Sequence, residues 1–435
     1  MFDIVIVGAG ICGLNLAKIL GEQTNKKICI LEKSNRIGGL ILTKFITFDY
    51  EKDNKKEKER VKFESGGAIV FDYQKKMKKL IKELDVHTLT VPLDKKGRHL
   101  KNYYDGEKRE KPLGKKTTDK YFKLIKKVFN HMDKLDDNYC RKLTLEQMCM
   151  EVLTFDETRF LEFCYGYAAE FRVCNALVAK KNIENELFKT KNMLYFTKHI
   201  NENKYGYTEL INALHDKIKD QVPIKLNTEV VSFEEKNDVV TLTLKNKETI
   251  KTKKVVFAIP KEGLEKMCSS FTKEEMELFD SVAPVSLTRI FAKYDLDKNP
   301  WIKDVEFSTV NNPLRQIIPY KRLLNKNIGF LQISYSDWYF ADYWGSLNVD
   351  KTKDLIQKFI SEALHVNSTE PEWIKKVYWK NAVHFWKPNM NEEKLSKRIM
   401  KLRKNVLVGG ESFSLNQGWC EGAIQTSIHL SKILI

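Results

Sequence analysis

The sequence predicts an α/β fold in which a doubly wound, Rossmann-like domain is interrupted by an inserted domain of mixed α+β structure. Two observations lead to this prediction. The chain opens on a short apolar strand, a glycine-rich turn and a helix, and it closes on a strand that ends in glycines before a last helix. Because the strands of one parallel sheet come from separate βα units, the first and last strands of this chain can belong to one sheet.

The opening turn has the spacing of a dinucleotide-binding loop. Residues 3–7 (DIVIV) form a short apolar, β-branched run, which is typical of a buried parallel strand. Gly8, Gly10 and Gly13 follow at G-x-G-x-x-G spacing. Gly8 permits the tight turn, Gly10 lets the backbone approach a pyrophosphate, and Gly13 allows close helix–strand packing. The pyrophosphate is expected on the positive N-terminus of the helix.

A second strand supports the same interpretation. The run ICILE ends at Glu32, at the spacing where a carboxylate accepts hydrogen bonds from an adenosine ribose. A carboxylate at this position would repel a ribose phosphate, so NADP is disfavoured.

The remaining segments alternate between helical and strand patterns. Residues 75–85 and 117–135 have the pattern of amphipathic helices, and 140–175 is helical and rich in aromatic residues. Residues 204–220 predict a glycine turn and a helix, whereas 221–260 and 286–295 predict strands. The run EKDNKKEKER (51–60) predicts an exposed hairpin or loop between strands. A strand over 405–412 and a helix over 417–434 complete the list.

Composition limits the class of protein. The chain has 435 residues and a net charge of +17, but its lysines are dispersed without aromatic interleaving, so solvated helix faces explain the charge better than nucleic-acid binding. The eight cysteines lack metal-type CxxC pairs and indicate free thiols in a reducing compartment, with no metal site. No apolar run reaches membrane-spanning length and no signal peptide is visible, which predicts a soluble cytoplasmic protein.

Further motifs make the assignment specific. They are Arg36–Gly39, Glu64–Ala68, Thr228–Val230 with Phe257–Pro260, Gly409–Glu411 and Asn416–Ile424. In this order and spacing the set resembles the flavin-containing amine oxidase superfamily, which includes monoamine, polyamine and L-amino-acid oxidases. The resemblance is specific for FAD and weaker for the substrate.

The resemblance implies a set of FAD-binding residues and a division into domains. The FAD-binding domain is expected at 1–75, 204–265 and 395–435, and the substrate-binding domain at 76–203 and 266–394. Val230 would hold the adenine through its backbone, and the turn after Gly418 would receive the flavin. The implied cofactor-binding residues are Gly8, Gly10, Ile11, Cys12, Gly13, Glu32, Lys33, Arg36, Gly39, Leu40, Gly66, Gly67, Ala68, Val230, Gly410, Glu411, Gly418, Trp419, Gly422, Ala423 and Ile424.

Three positions depart from the best-known members. Leu40 stands where many relatives have an arginine on the pyrophosphate, with Arg36 or Lys33 as candidate replacements. Arg289 aligns with the flavin-facing lysine of monoamine and polyamine oxidases, although a solvent-facing strand arginine is the open alternative. Ile69 stands where several L-amino-acid oxidases clamp the substrate carboxylate with arginine. Ile69 therefore weighs against an α-amino acid as the substrate, unless Arg172 or Arg315 binds the carboxylate.

An amine site of this kind also needs aromatic walls beside the flavin. Trp419 occupies the position of one wall, and Trp386 in HFWKP is the candidate for the other, ahead of His384 and Phe385. Ordinary core packing is the alternative for Trp386. No cysteine lies in 380–400, where monoamine oxidases attach their flavin, so the FAD is expected to be non-covalent.

The resemblance thus implies an FAD-dependent oxidoreductase with Arg289, Trp419 and Trp386 in the catalytic centre. The expected reaction oxidises a C–N bond of an amine or polyamine by hydride transfer, with reoxidation by oxygen to give hydrogen peroxide. A desaturase-like, protoporphyrinogen-oxidase-like or non-redox mutase reaction is the first alternative. A flavin-bearing binding scaffold without turnover is the second.

Overall fold

The computed structural model describes residues 1–52, 55–92, 103–104, 114–196 and 206–435. The strands in chain order are β1 (Phe2–Val7), β2 (Ile28–Leu31), β3 (Thr43–Lys52), β4 (Lys55–Glu64), β5 (Ile69–Phe71), β6 (Thr88–Pro92), β7 (Tyr103–Tyr104), β8 (Asn192–Phe196), β9 (Ile224–Lys225), β10 (Val230–Lys236), β11 (Val239–Leu244), β12 (Thr249–Phe257), β13 (Val282–Asp295), β14 (Ser308–Val310), β15 (Gln316–Leu323), β16 (Ile328–Asp337), β17 (Trp373–Trp386) and β18 (Val406–Val408).

The helices alternate with these strands. The α-helices are Ile11–Gln23, Lys75–Glu83, Gly114–Met132, Asp137–Lys142, Leu145–Met150, Phe155–Tyr165, Ala169–Arg172, Ala176–Glu184, Thr208–Ile218, Lys261–Glu265, Lys273–Phe279, Trp338–Ser346, Val349–Leu364, Glu392–Met400 and Cys420–Leu434. A π-helical turn covers Asn185–Lys189, and 3₁₀ turns cover Cys268–Ser270, Pro300–Lys303 and Leu324–Lys326.

The first large sheet collects strands from distant parts of the chain. Its order is β10-β11-β12-β1-β2-β9, with β18 also paired to β12. Strands β18, β12, β1, β2 and β9 are parallel, and β10 and β11 add an antiparallel edge. Both faces of this sheet are covered, as parallel sheets require.

Side-chain alternation along β1 explains the two-sided burial. Ile4 and Ile6 belong to the apolar cluster that contains the helices Ile11–Gln23 and Cys420–Leu434. Val5 and Val7 point the other way, into the apolar cluster formed with the middle of the chain. The first and last helices therefore pack together, which brings the two ends of the chain to the same face of the sheet.

The second large sheet has the order β17-β13-β16-β15-β14-β7. Strand β13 is central and long, and a register shift between Val285 and Leu287 interrupts its pairing with β17. Strands β3 and β4 form the predicted hairpin, whose residues 53–54 lie outside the described residues. A small sheet, β5-β8-β6, is formed by strands that lie between β2 and β9 of the first sheet in chain order.

This arrangement is that of a nucleotide-binding sheet interrupted by a second unit. The first sheet draws on residues 2–31, 224–257 and 406–408, and the second draws mainly on 282–386. The predicted domain bounds remain a proposal, and residues 93–102, 105–113 and 197–205 of the predicted segments lie outside the described part.

Two further observations concern the cysteines and the question of membrane-spanning helices. All eight cysteines are free thiols, and six of them are buried. Among the described residues, none of the helices combines the length and apolar character that crossing a bilayer requires.

Candidate functional site

The three glycines of the opening turn have different physical reasons to be glycine. Gly8 has φ +107°, and an added Cβ would lie 2.5 Å from the Ala258 carbonyl oxygen. A Cβ at Gly13 would overlap the Gly8 carbonyl oxygen. At Gly10, in contrast, an added Cβ meets no atom within 4 Å. Gly8 and Gly13 are fixed by packing, whereas Gly10 borders open space of the kind a pyrophosphate needs.

The helix that follows this turn offers a free N-terminus. Gly10 is the N-cap of Ile11–Gln23, and neither a side-chain cap nor an acidic residue is present in the first turn. Uncapped N–H groups and the helix dipole favour an anion at this position. Cys12 in the first turn has its pKa raised to about 12 by burial, so its thiol adds no negative charge.

The acid at the end of β2 lies directly beside the glycine turn. Glu32 is half-buried, and its carboxylate accepts hydrogen bonds from Ala9 N at 2.8 Å and from Ser34 N at 2.9 Å. The backbone N–H of Thr228 donates to the Glu32 carbonyl oxygen at 2.8 Å, which places the predicted adenine residue Val230 near the same end of the sheet. Lys33 is exposed.

The turn Arg36–Gly39 packs on the glycine loop. Gly38 N donates to Ala9 O at 2.8 Å, and a Cβ at Gly39 would lie 3.4 Å from the Gly10 Cα. The Arg36 guanidinium donates to the carbonyl oxygens of Ile37 and Gly39, so it braces its own turn. This use of Arg36 leaves the missing charge at Leu40 without a clear replacement among the described residues.

The glycine pair after β4 passes close to this turn. A Cβ at Gly66 would overlap the Leu40 carbonyl oxygen, and Gly67 N donates to the same oxygen at 3.3 Å. Ser65 is fully buried, and its Oγ has no hydrogen-bond partner within the described part of the chain. Gly66, Gly67 and Ala68 retain accessible surface.

The C-terminal motif closes the other side of the cleft. Gly410, with φ +125°, donates its N–H to Thr426 Oγ1 at 2.9 Å. The Glu411 carboxylate accepts from Gly418 N at 2.6 Å, so it shapes the turn before Trp419. Gly422 lies in the first turn of the helix Cys420–Leu434. An added Cβ there would overlap Ser414 Oγ, which explains the glycine at this position.

The predicted cofactor residues therefore converge. The half-buried or exposed residues around the cleft are Gly10, Glu32, Arg36, Gly39, Leu40, Gly66, Gly67, Ala68, Val230, Gly410, Glu411, Gly418 and Trp419. Gly8, Ile11, Cys12, Gly13, Gly422, Ala423 and Ile424 are buried behind them. A cradle with open space at Gly10 and an uncapped helix N-terminus fits a dinucleotide of the size of FAD. The individual contacts to FAD remain a proposal.

Arg289 is buried and directed toward this cleft. It is 8% exposed, and its Nη1 lies 3.4 Å from the Glu64 carbonyl oxygen and 3.3 Å from Gln332 Oε1. The guanidinium stacks 4.5 Å from the centroid of the Tyr335 ring. The solvent-facing alternative is therefore excluded, and the charge lies next to the segment that leads into Gly66.

The structure corrects the prediction for Trp386. This side chain is 0% exposed, its indole Nε1 donates to Ser414 O at 2.9 Å, and it packs near Phe413 in the core. It therefore does not form an aromatic wall, and core packing is the correct interpretation. The reason is that this end of β17 packs on the C-terminal segment, where Trp386 N also donates to Gln417 Oε1 at 2.8 Å.

A different tryptophan of β17 lies at the cleft. Trp379 is half-buried, and its indole Nε1 donates to Ser65 O at 2.8 Å, directly before Gly66. Trp419 is half-buried and packs edge-on against Phe71, with ring centroids 4.9 Å apart. The sequence pattern did not indicate that Trp379, rather than another tryptophan of this strand, lies at the cleft.

Sequence reasoning missed two carboxylic acids, Glu170 and Glu186, that lie near each other. Glu170 and Glu186 retain accessible surface but lie among buried groups: Glu186 accepts from Tyr165 OH at 2.8 Å, and Tyr165 is 2% exposed. Burial raises the pKa of Glu186 to about 7. Burial, with Asp337 and Glu186 nearby, raises the pKa of Glu170 well above its usual range. Neither acid forms an ion pair with a basic side chain of the described residues.

Tyrosines connect these acids to the cleft. Tyr167 and Tyr335 are half-buried, their ring centroids are 5.6 Å apart, and Tyr335 is the ring on which Arg289 stacks. Tyr73 is half-buried and packs on Phe71, which in turn contacts Trp419. Tyr73, Tyr167, Tyr335, Glu170 and Glu186 all retain accessible surface, and we call these five residues the acidic cluster.

The two candidate carboxylate clamps are already engaged. Arg172 pairs with Glu162 at 2.8 Å and with Glu146 at 3.0 Å. Arg315 is 0% exposed, and its guanidinium donates to the carbonyl oxygens of Val310 and Glu162. Ile69 at the start of β5 supplies no charge, and both Arg172 and Arg315 are held by other partners, so neither is placed to clamp a substrate carboxylate.

Comparison with known proteins gives sequence relatives that match only in part. Amine oxidase [flavin-containing] A of Equus caballus is 34% identical over 100 residues, which cover 22% of this chain and 16% of that protein. The amine oxidase [flavin-containing] of Oncorhynchus mykiss is 24% identical over 280 residues, 60% of this chain and 50% of that protein. The matches thus span at most half of these two relatives.

Solved structures match over the whole chain. A putrescine oxidase determined with bound putrescine has a TM-score of 0.75 and 14% identity, covering 100% of this chain and 98% of that chain. Cyclohexylamine oxidase from Brevibacterium oxydans IH-35A has a TM-score of 0.74 and 13% identity, with the same coverage. At this level of identity the two structures show the fold, and they confirm the predicted α/β class with an inserted domain.

A family model carries the assignment further than any single relative. The model of the flavin-containing amine oxidoreductases matches residues 11–434. This match confirms the resemblance derived from the glycine motifs, and with it FAD as the cofactor. The chain belongs to the flavin-containing amine oxidoreductase family.

Proposed function

We propose that this chain oxidises a C–N bond of a diamine or polyamine, with FAD as hydride acceptor, oxygen as final electron acceptor and hydrogen peroxide as a product. The observation that carries this proposal is a cluster of partly accessible acids and tyrosines, the acidic cluster defined above. Its acids, Glu170 and Glu186, have no basic partner among the described residues, and its ring Tyr335 stacks on Arg289 beside the cofactor cleft. Such a cluster favours a ligand that carries positive charge at a distance from the reacting carbon.

In the proposed arrangement the glycine motifs hold the cofactor. The N-terminus of Ile11–Gln23 binds the pyrophosphate, Glu32 binds the ribose, and Gly66 and the Gly418 turn flank the flavin. FAD, when bound, supplies a hydride acceptor next to the carbon that bears the amine. The protein contributes orientation and electrostatics.

The aromatic side chains position the reacting amine. Trp379 and Trp419 border the cleft, and their faces exclude water and orient a neutral amine or hold a cation. The amine loses its proton to solvent before it reacts. Loss of a hydride from carbon and of the N–H proton to water leaves an imine, which water hydrolyses to a carbonyl compound and the released amine.

The acids bind the far end of the substrate. A distal ammonium between Glu170 and Glu186 would replace the missing basic partner and would favour their ionised forms. The solved structure of putrescine oxidase with putrescine supports a diamine as the first compound to test. The acidic cluster speaks against the desaturase-like alternative, which needs an apolar tunnel.

A peroxide-coupled assay with putrescine and butylamine tests this function. We expect putrescine to be the better substrate, and we expect its advantage to grow as pH rises through about 7, where Glu186 becomes ionised. Glu186→Gln should lower kcat/KM for putrescine by roughly 10–100-fold, as loss of a charge-assisted hydrogen bond implies, and should remove the additional rise with pH. Glu170→Gln should have a similar effect on kcat/KM.

Two controls make the assay specific. Butylamine reports the protonation of the reacting amine alone, so its kcat/KM should change little in either variant. Glu184→Gln removes an acid on the same helical segment that already lies 3.8 Å from Lys180, and it should behave as the parent. Equal losses for putrescine and butylamine, or no loss at all, would contradict the proposed substrate class.

Ile69 leads to a second expectation about the substrate. Amines should reduce the bound FAD faster than the matching α-amino acids, because Ile69 provides no fork for a carboxylate and the acidic cluster repels one. We expect a difference of about 1.5–3 kcal/mol, or roughly 10–100-fold, in the rate of anaerobic bleaching. Faster bleaching by lysine than by cadaverine would show that an arginine such as Arg172 or Arg315 leaves its partners to clamp the carboxylate.

A further inference from the structure

A buried histidine lies where the two large sheets meet. His384, near the end of β17, is 1% exposed. Its Nδ1 lies 3.1 Å from Glu411 Oε2, and its Nε2 lies 3.1 Å from Glu262 Oε1. Carboxylates accept hydrogen bonds, so both ring nitrogens must carry protons, and His384 is an imidazolium between two negative charges.

The two carboxylates belong to the nucleotide-binding sheet. Glu262 lies in the short helix after β12, and Glu411 follows β18. His384 therefore joins the second sheet to two neighbouring loops of the first. Its backbone N–H also donates to Glu411 Oε1 at 3.1 Å, and Ser412 Oγ lies 3.1 Å from Nδ1.

Glu411 transmits this contact to the cofactor cleft. The same Oε1 atom that accepts from His384 N accepts from Gly418 N at 2.6 Å. Gly418 has φ +80° and directly precedes Trp419. A turn in the left-handed region needs a partner to hold its N–H in place, and this partner is a carboxylate oriented by His384.

We propose that His384 is a positioning residue for the cofactor: held between Glu262 and Glu411, it fixes the carboxylate that shapes the Gly418 turn. This role rests on the FAD placement proposed above. The imidazolium also offsets the negative charges that Glu262 and Glu411 bring close to a dianionic pyrophosphate cofactor.

The protonation of His384 gives the proposal a pH dependence. Burial lowers the pKa of His384, but the hydrogen bonds to Glu262 and Glu411 outweigh burial and raise this pKa from 6.5 to about 9. The other charged groups at this junction pair with each other: Lys387 with Asp280 at 2.7 Å, and Lys261 with Glu265 at 3.3 Å. Because the folded-state pKa is raised, the stabilisation is complete below about pH 6.5, falls above it and is lost above about pH 9.

The test measures the release rate of FAD from the loaded protein, by the fluorescence of free FAD, between about pH 6 and about pH 9.5. In the parent we expect release to accelerate as pH rises from about 6.5 to about 9. In His384→Gln we expect release to be at least about tenfold faster at pH 6.5, with no further rise across this window. Glu262→Gln should change the rate in the same direction by a smaller factor.

A matched control and a second readout separate positioning from general destabilisation. His131→Gln removes a histidine that also pairs with a carboxylate, Glu151 at 2.7 Å, but lies outside the cleft, and it should release FAD as the parent does. Unchanged release in His384→Gln, or a lower Tm of the apoprotein with unchanged release, would overturn the proposal. If His384→Gln fails to fold, Glu262→Gln decides by the same criteria. Tight FAD retention by Gly10→Val would instead overturn the cofactor placement itself.

Discussion

Replacing Gly10 with valine is expected to give a folded but colourless protein. An added Cβ at Gly10 meets no protein atom within 4 Å, so the apoprotein should keep its Tm. The same open space lies at the uncapped end of Ile11–Gln23, where the pyrophosphate is proposed to bind, and a branched side chain would fill it. We expect FAD affinity to fall by at least about a hundredfold, or about 3 kcal/mol. Visible absorbance of the purified protein and titration of the apoprotein with FAD provide the measurement.

Gly13→Ala is the matched control, because here the obstacle is the protein itself. Its Cβ would overlap the Gly8 carbonyl oxygen, so the apoprotein should already unfold at a lower temperature. The parent should be yellow and should release intact FAD on acid denaturation, since no cysteine lies in 380–400. A Gly10→Val protein that is as yellow as the parent would place the pyrophosphate elsewhere.

The contrast between these glycines shows what local sequence could predict. The strand, turn and helix at Phe2–Gln23, the acid at Glu32 and the C-terminal strand and helix depend on short-range rules, and each lies where its pattern predicts. Their convergence follows from parallel pairing of β1 with β2 and β12, which the apolar runs favour. The cofactor side of the cleft was therefore within reach of sequence reasoning.

The substrate side depends on long-range register, which the sequence does not encode in short patterns. Trp386 lies in the core and Trp379 at the cleft although both lie on β17, and the alternation of side chains along a strand does not say which face meets the cleft. Glu170 had a weak signal, since it is an acid within an apolar helical run. Glu186 had none, because it follows other acidic residues in a segment that resembles a solvated surface.

Arg289 is the predicted catalytic residue that lies buried beside Glu64 and Tyr335, and its removal should have the second large effect. The chain buries this charge against the Glu64 carbonyl oxygen and Tyr335, with no carboxylate as hydrogen-bond partner in the contacts described. A buried cation without a counterion is costly unless negative charge develops nearby. We infer that Arg289 stabilises the negative charge that the cofactor gains during turnover.

Arg289→Met should therefore lower the reduction potential of bound FAD and slow its reoxidation by oxygen, while anaerobic reduction by substrate changes less. Loss of one placed charge in a desolvated site corresponds to about 2–4 kcal/mol, or roughly two orders of magnitude or more in rate. Arg289→Lys keeps the charge but not the planar fork, so it should recover most of the oxygen rate, and equal Tm values of the two variants would exclude a folding defect. Stopped-flow traces of the reductive and oxidative half-reactions provide the measurement. If oxygen reoxidises the reduced FAD of Arg289→Met as fast as that of the parent, the Arg289 charge stabilises only the packing between β13 and the Glu64 segment.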